Sequence, residues 1–136
     1  LSFVLDNSVA LAWCFEDEQT PELLALLDRV TEAGAVAPML WPLEAQNGLL
    51  MAERRKRLDA AKREELSRLL RDLPITLDED TARQAWTDAA DLATRFGLSV
   101  YDASYLELAL RRGLPLATTD RGSRSAAEAS GVALLP

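Results

Sequence analysis

Short β-branched or aliphatic runs alternate along this chain with longer segments of helical period, and that alternation limits the fold more than any other feature. Candidate strands are Phe3 to Leu5, Ala35 to Ala37, Ile75 to Leu77, Leu116 to Thr118 and Val132 to Leu134. Each is short, and the segments between them are long enough for crossover helices, so the pattern predicts an α/β domain with a mainly parallel sheet. At 136 residues and 49% hydrophobic content the chain fits one domain with a real core. No repeat or low-complexity linker divides residues 1 to 136.

Helix punctuation fits the same scheme. Asn7-Ser8 is placed to cap a short helix running to about Cys14. Thr20-Pro21 opens another that stops at Gly34, with Pro at the first helical position. From Leu40 to about Arg55 a helix is predicted with Leu40, Leu43, Asn47, Leu50 and Met51 on one inward face. Asp59 caps a basic helix whose Leu66, Leu69, Leu70 and Leu73 face the core before Pro74 ends it. One further helix is predicted over Ala82, Ala85, Trp86, Ala89, Ala93 and Phe96, closed by Gly97, and another from Asp102 to Arg112.

Composition narrows the chemistry. With no histidine and one cysteine, Cys14, the chain has no His-based nucleophile or base, no disulfide and no thiolate cluster. Oxygen ligands remain, and these suit hard cations such as Mg²⁺ or Mn²⁺. Four acidic residues stand out. Asp6 and Asp120 follow apolar strands, where the carboxyl ends of a parallel sheet frame a crevice. Glu44, with Asn47 beside it, falls inside the apolar stripe of its helix, and Asp102 shares a side with Tyr105, Leu106 and Ala109. Each has a plainer reading as a helix cap, a turn residue, a dipole partner or a side chain at the rim of the core. Together they could gather in one pocket, where a divalent cation relieves their repulsion and activates a water toward a phosphodiester.

Net charge is −7, but Arg54 to Arg71 holds eight basic residues against three acidic ones, leaving that window at +5 and the remainder at −12. Such a stripe is either a solvated helix face or a phosphate-binding track. No apolar run is long enough to span a bilayer and the first residues lack a basic leader region, so a cytoplasmic protein without membrane attachment is expected.

The stretches Phe3-Val4-Leu5-Asp6-Asn7-Ser8-Val9, Trp41-Pro42-Leu43-Glu44-Ala45-Gln46-Asn47, Leu98-Ser99-Val100-Tyr101-Asp102-Ala103-Ser104-Tyr105 and Leu116-Ala117-Thr118-Thr119-Asp120 resemble, in order and spacing, a PIN-domain ribonuclease of the VapC toxin type. The resemblance covers nearly the whole chain. It implies a PIN-like, five-stranded, mainly parallel sheet flanked by helices. It also implies one or two Mg²⁺ or Mn²⁺ ions held by Asp6 and Asp102, with Glu44 and Asp120 completing the set as catalytic residues. Ser8 and Thr118, with Asn47, are expected to support the ligands by hydrogen bonds. The implied activity is endoribonuclease cleavage by metal-activated water, and the implied partners are RNA, a second copy of the chain in a homodimer, and a cognate antitoxin. Arg54, Arg55, Lys56 and Arg57 are candidate RNA phosphate contacts, and Trp13 or Phe15 a candidate base-stacking surface.

Two departures accompany the resemblance. Gly48 interrupts the Glu44 helix at a cost of about 1 kcal/mol, unless it permits close packing, and Arg121-Gly122-Ser123-Arg124-Ser125 offers no apolar anchor, which predicts a loose loop at Asp120. Two rival readings stay open: a PIN-like module that binds RNA or protein without catalysis, and a phosphotransfer domain with Asp after its first strand. The second is short of the lysine at a strand terminus and the second Asp that such enzymes use, since Ser8 stands there.

Overall fold

The computed structural model describes residues 2–136. Five parallel strands form one sheet: β1 (Val4–Leu5), β2 (Ala35–Pro38), β3 (Ile75–Asp78), β4 (Leu116–Ala117) and β5 (Leu134–Leu135), in the order β3-β2-β1-β4-β5. The chain winds outward from β1 to β3, then returns to place β4 on the other side of β1. That return is the topological switch point, and it brings the carboxyl ends of β1 and β4 together through the pairing Leu5 to Ala117. Eight helices flank the sheet among the described residues: α1 (Asn7–Ala12), α2 (Pro21–Ala33), α3 (Trp41–Arg54), α4 (Ala60–Arg71), α5 (Thr81–Ala85), α6 (Asp88–Phe96), α7 (Val100–Arg112) and α8 (Arg121–Ser130). None is long and apolar enough to cross a membrane.

The core is built on β1, whose Val4 and Leu5 are wholly buried with the preceding Phe3, and on α7. Residues Ala103 to Ala109 of α7 are all buried, because this helix packs against β1, β2 and β4 on one side and α6 and α8 on others. A helical stretch buried over seven successive residues has no solvent stripe there, so its side chains are held in fixed positions.

Several local expectations require correction. The cap of α1 is Asp6, not Asn7-Ser8: its side chain accepts from the Ser8 amide at 3.3 Å. In α3 the buried face is Trp41, Ala45, Leu49 and Ala52, whereas Leu43 is 76% exposed and Asn47 points to solvent. The small residues win the interior because α1 and α4 press closely on α3. In α4, Leu66 and Leu70 are buried but Leu69 is exposed. The helix expected across Ala82 to Phe96 is broken at Thr87 (φ −126°, ψ −98°) into α5 and α6, leaving Trp86 88% exposed. The last strand lies one to two residues later than expected, and α7 starts two residues earlier, capped by Ser99.

Gly48 is explained by packing. A Cβ there would lie 2.5 Å from Cδ1 of Leu11, so the glycine is where α1 seats against α3.

Candidate active site

Asp6 leaves β1 and Thr118 leaves β4 side by side, because Leu5 and Ala117 are paired. The Asp6 carboxyl is 4% exposed, and its Oδ2 accepts from the Thr118 hydroxyl at 2.9 Å, from the Ser8 amide and from the Ser8 hydroxyl. The Ser8 and Thr118 hydroxyls are 3.3 Å apart. Thr119 donates its amide to Ser8 Oγ at 3.0 Å, and Asp120 donates its amide to Thr118 Oγ1 at 3.0 Å. One polar network thus spans two chain segments more than 100 residues apart.

Asp120 caps α8, its Oδ2 accepting from the Ser123 amide at 2.9 Å. The loop expected after it is therefore a helix start, anchored by buried Ser123 in place of an apolar side chain. Asp6 and Asp120 share a habit: each commits Oδ2 to the first turn of the helix it caps. None of these bonds engages Oδ1, which leaves that oxygen as the one available to a ligand.

Asp102 lies in the first turn of α7, half-buried, behind the Ser99 cap whose hydroxyl accepts from the Asp102 amide at 3.0 Å. Glu44, half-buried near the start of α3, takes a hydrogen bond from the Tyr105 hydroxyl at 2.7 Å. Electrostatics links the four. Burial first, then the charge of Asp120, raises the Asp6 carboxyl above the ordinary carboxylate range, against the pull of the Ser8 and Thr118 hydrogen bonds. Glu44 is raised by burial and by the charges of Asp6 and Asp102. Asp102 is raised by burial and by Asp6 and Asp120. Glu44 and Asp102 each feel two of the other carboxylates and Asp6 feels one, so the four groups lie within electrostatic reach of one another through Asp6 and Asp102.

Asn47, expected to support Glu44, is exposed instead and takes no part. The basic candidates divide. Arg57 is tied to Asp17 at 3.0 Å and Glu18 at 3.2 Å and lies over the Phe15 ring at 4.1 Å from its centroid, so an RNA phosphate there would compete with two carboxylates for the guanidinium. Trp13 is buried, its indole donating to the Leu23 carbonyl at 2.7 Å, which removes it as a stacking surface. Arg54, Arg55 and Lys56 are exposed, without ion pairs among the described residues, at the far end of α3 from Glu44. Ten residues of helix put them about 15 Å away along its axis.

The donor set is all oxygen and partly charged, which fits a hard divalent cation. As placed, no group of three or more ligating side chains among the described residues closes around one point. Mg²⁺ does not require one: it keeps several waters and takes only one or two carboxylates from its protein. The residues therefore fit the ion, provided water fills much of its shell.

Residues 3–129 match the sequence model of the PIN domain. The chain is a PIN domain. PIN domains are generally metal-dependent nucleases that use divalent ions. Among solved structures, this PIN domain is similar to PAE2754 from Pyrobaculum aerophilum, at 24% identity and TM-score 0.70 over 99% of this chain and 90% of that one. FitAcB from Neisseria gonorrhoeae follows at 21% identity and TM-score 0.67, over 98% and 96% of the two chains. FitAB bound to an IR36 DNA fragment is similar at 20% identity and TM-score 0.65, over 97% and 92%. At these identities the likeness concerns the fold. No curated protein matches the PIN domain in sequence.

Sequence reasoning missed one polar cluster outside this mouth. Asp78, at the end of β3, and Glu107, in α7, are buried and clamped by Arg111. The i, i+4 spacing of Glu107 and Arg111, with Glu107 inside an otherwise apolar run, was the available signal.

Proposed function

We propose that this PIN domain is a Mg²⁺- or Mn²⁺-dependent endoribonuclease, the toxin of a toxin-antitoxin pair, acting in the cytoplasm as a homodimer restrained by an antitoxin protein. The observation that carries the reading is the placement of Asp6 and Asp120 at the carboxyl ends of β1 and β4, joined through Ser8 and Thr118, with Asp102 of α7 and Glu44 of α3 within electrostatic reach. A stable fold gains nothing from crowding carboxylates whose charges oppose one another, whereas a cation site requires it.

A divalent ion there supplies Lewis acidity and lowers the pKa of a water it binds. Asp6 and Asp120 offer their Oδ1 atoms, Asp102 and Glu44 their half-exposed carboxylates. Ser8 and Thr118 hold Asp6 in a single orientation through Oδ2, so its free oxygen is aimed before any ligand arrives. Arg54, Arg55 and Lys56 supply sequence-blind phosphate attraction beyond the mouth.

Incubating the protein with structured RNAs and Mg²⁺ or Mn²⁺, beside Asp6→Asn, tests the reading. EDTA-sensitive cleavage that disappears in the variant is the expected result. The rival, a PIN-like module that binds without cutting, draws on the open spacing of the four carboxylates. RNA binding without cleavage in either metal decides for that rival.

A further inference from the structure

Tyr105 is 1% exposed, and its hydroxyl is the polar end of a side chain otherwise packed in the core. It donates to Glu44 Oε1 at 2.7 Å, joining α7 to α3 across the mouth. Tyr105 stands one helical turn beyond Asp102, so a single stretch of α7 carries one acidic residue and, through the phenol, fixes a second. Phenylalanine would fill the same core volume. The hydroxyl has its use in the carboxylate.

We propose that Tyr105 is a positioning residue of the metal site, holding Glu44 by Oε1 so that Oε2 faces the ion; this rests on the nuclease reading above. Two observations converge on it. The bond bridges separate elements and so cannot be a by-product of local helix geometry. No other side chain bonds Glu44 among the described residues, which leaves its rotamer dependent on this contact. An unheld glutamate on the first turns of a helix samples several rotamers, and each one lost to ordering on metal binding weakens the site.

The sequence contains two tyrosines, one 65% exposed and the other buried, so tyrosine ring-carbon NMR distinguishes Tyr105 from Tyr101. Calorimetric titration with Mg²⁺ alone is run on wild type, Tyr105→Phe and Glu44→Gln. We expect Tyr105→Phe to weaken Mg²⁺ binding about tenfold while remaining folded. In wild type the resonance of the carbon bearing the Tyr105 hydroxyl should move along the Mg²⁺ binding curve; Glu44→Gln should abolish that response. Mg²⁺ binding with equal affinity to wild type and Tyr105→Phe, or a Tyr105 resonance indifferent to bound Mg²⁺, overturns the role of Tyr105 and leaves the nuclease reading standing. Absence of Mg²⁺ binding to wild type removes both.

Discussion

Arg111 grips Asp78 with two hydrogen bonds, Nη1 to Oδ1 at 3.1 Å and Nη2 to Oδ2 at 2.6 Å, and with its remaining donors takes Glu107 at 2.8 and 2.9 Å. Arg111 thereby bridges two carboxylates that are 1% and 4% exposed and ties the end of α7 to the edge strand β3, with Arg112 adding a second cation to Asp78 at 3.1 Å. Replacing Arg111 with Met keeps the stem but strands Glu107 and leaves Asp78 with Arg112 alone. Removing one partner of a buried pair costs about 3–5 kcal/mol, so the urea midpoint of Arg111→Met should fall sharply. A midpoint within error of wild type would show that Arg112 and water suffice.

Acid should find the same cluster. The hydrogen bonds of Arg111, with its charge and Arg112 adding to them against the effect of burial, hold the Asp78 carboxyl down at about 2. A carboxylate depressed by folding contributes stability in full above its unfolded value near 3.9, and that contribution drains away as pH falls toward 2. The shift corresponds to roughly 2 kcal/mol. Asp78→Asn should therefore flatten the stability profile between pH 4 and 2; an unchanged slope there assigns the acid sensitivity to other groups.

The crowded carboxylates respond in the opposite direction. Asp6, Glu44 and Asp102 are raised by folding, so the metal-free protein loses stability as pH rises through their shifted range. Asp102→Asn removes one member of this group while keeping its shape. In EDTA at neutral pH the variant should melt slightly above wild type, by less than about 1 kcal/mol because Asp102 is half-exposed. Added Mg²⁺ should raise the melting temperature of wild type alone. A variant that melts below wild type in EDTA contradicts the assignment of repulsion.

Gly48 makes a steric prediction. Val at this position meets Leu11 where the glycine has nothing, and overpacking of this kind costs about 1–3 kcal/mol. The α1 and α3 helices carry Asp6 and Glu44 at their starts, so forcing them apart should also weaken Mg²⁺ binding. Denaturation and calorimetry on Gly48→Val check both; a stable variant with normal affinity means that Leu11 swings aside.

Lys56 sits in the left-handed region at φ 63°, closing α3 as the amides of Lys56 and Arg57 bond to Glu53 and Ala52 carbonyls, both at 2.9 Å. Glycine usually fills this place, and a side chain there costs roughly 1 kcal/mol. Lys56→Gly should gain that stability and lose RNA affinity, because it deletes one of three unpaired cations. The log–log slope of RNA affinity against salt should shrink by about 0.7 for single-stranded RNA. An unaltered slope excludes the end of α3 from the RNA path.

Much of this architecture was legible from the chain itself, for identifiable reasons. Strand positions follow from short aliphatic runs, and Thr20-Pro21, Gly34 and Asp59 mark helix ends through chemistry that needs no tertiary context. Among the candidate carboxylates, Asp6 and Asp120 stand where apolar strands end, and Glu44 and Asp102 where a helix pattern calls for an apolar side chain. What escaped depends on neighbours. Leu43 and Leu50 look like the core face of α3, but the close approach of α1 and α4 selects Ala45 and Ala52 instead. Regular spacing through Trp86 hid the break at Thr87, and the same pattern assigned an exposed tryptophan to the interior. Arg57 looked free because Asp17 and Glu18, its partners, lie about forty residues away.

The neighbouring placement of β1 and β4 bears on synthesis. Thr118 bonds Asp6 across a separation of 112 residues, and Asp120 lies beyond it. Closing so long a segment is among the last entropic hurdles a chain of this topology meets. A polypeptide threading out of its ribosome has the first three acidic side chains well before Thr118 and Asp120, so the cleft cannot be complete until that later stretch has emerged. On the nuclease reading, a producing cell is spared a working cleft until then.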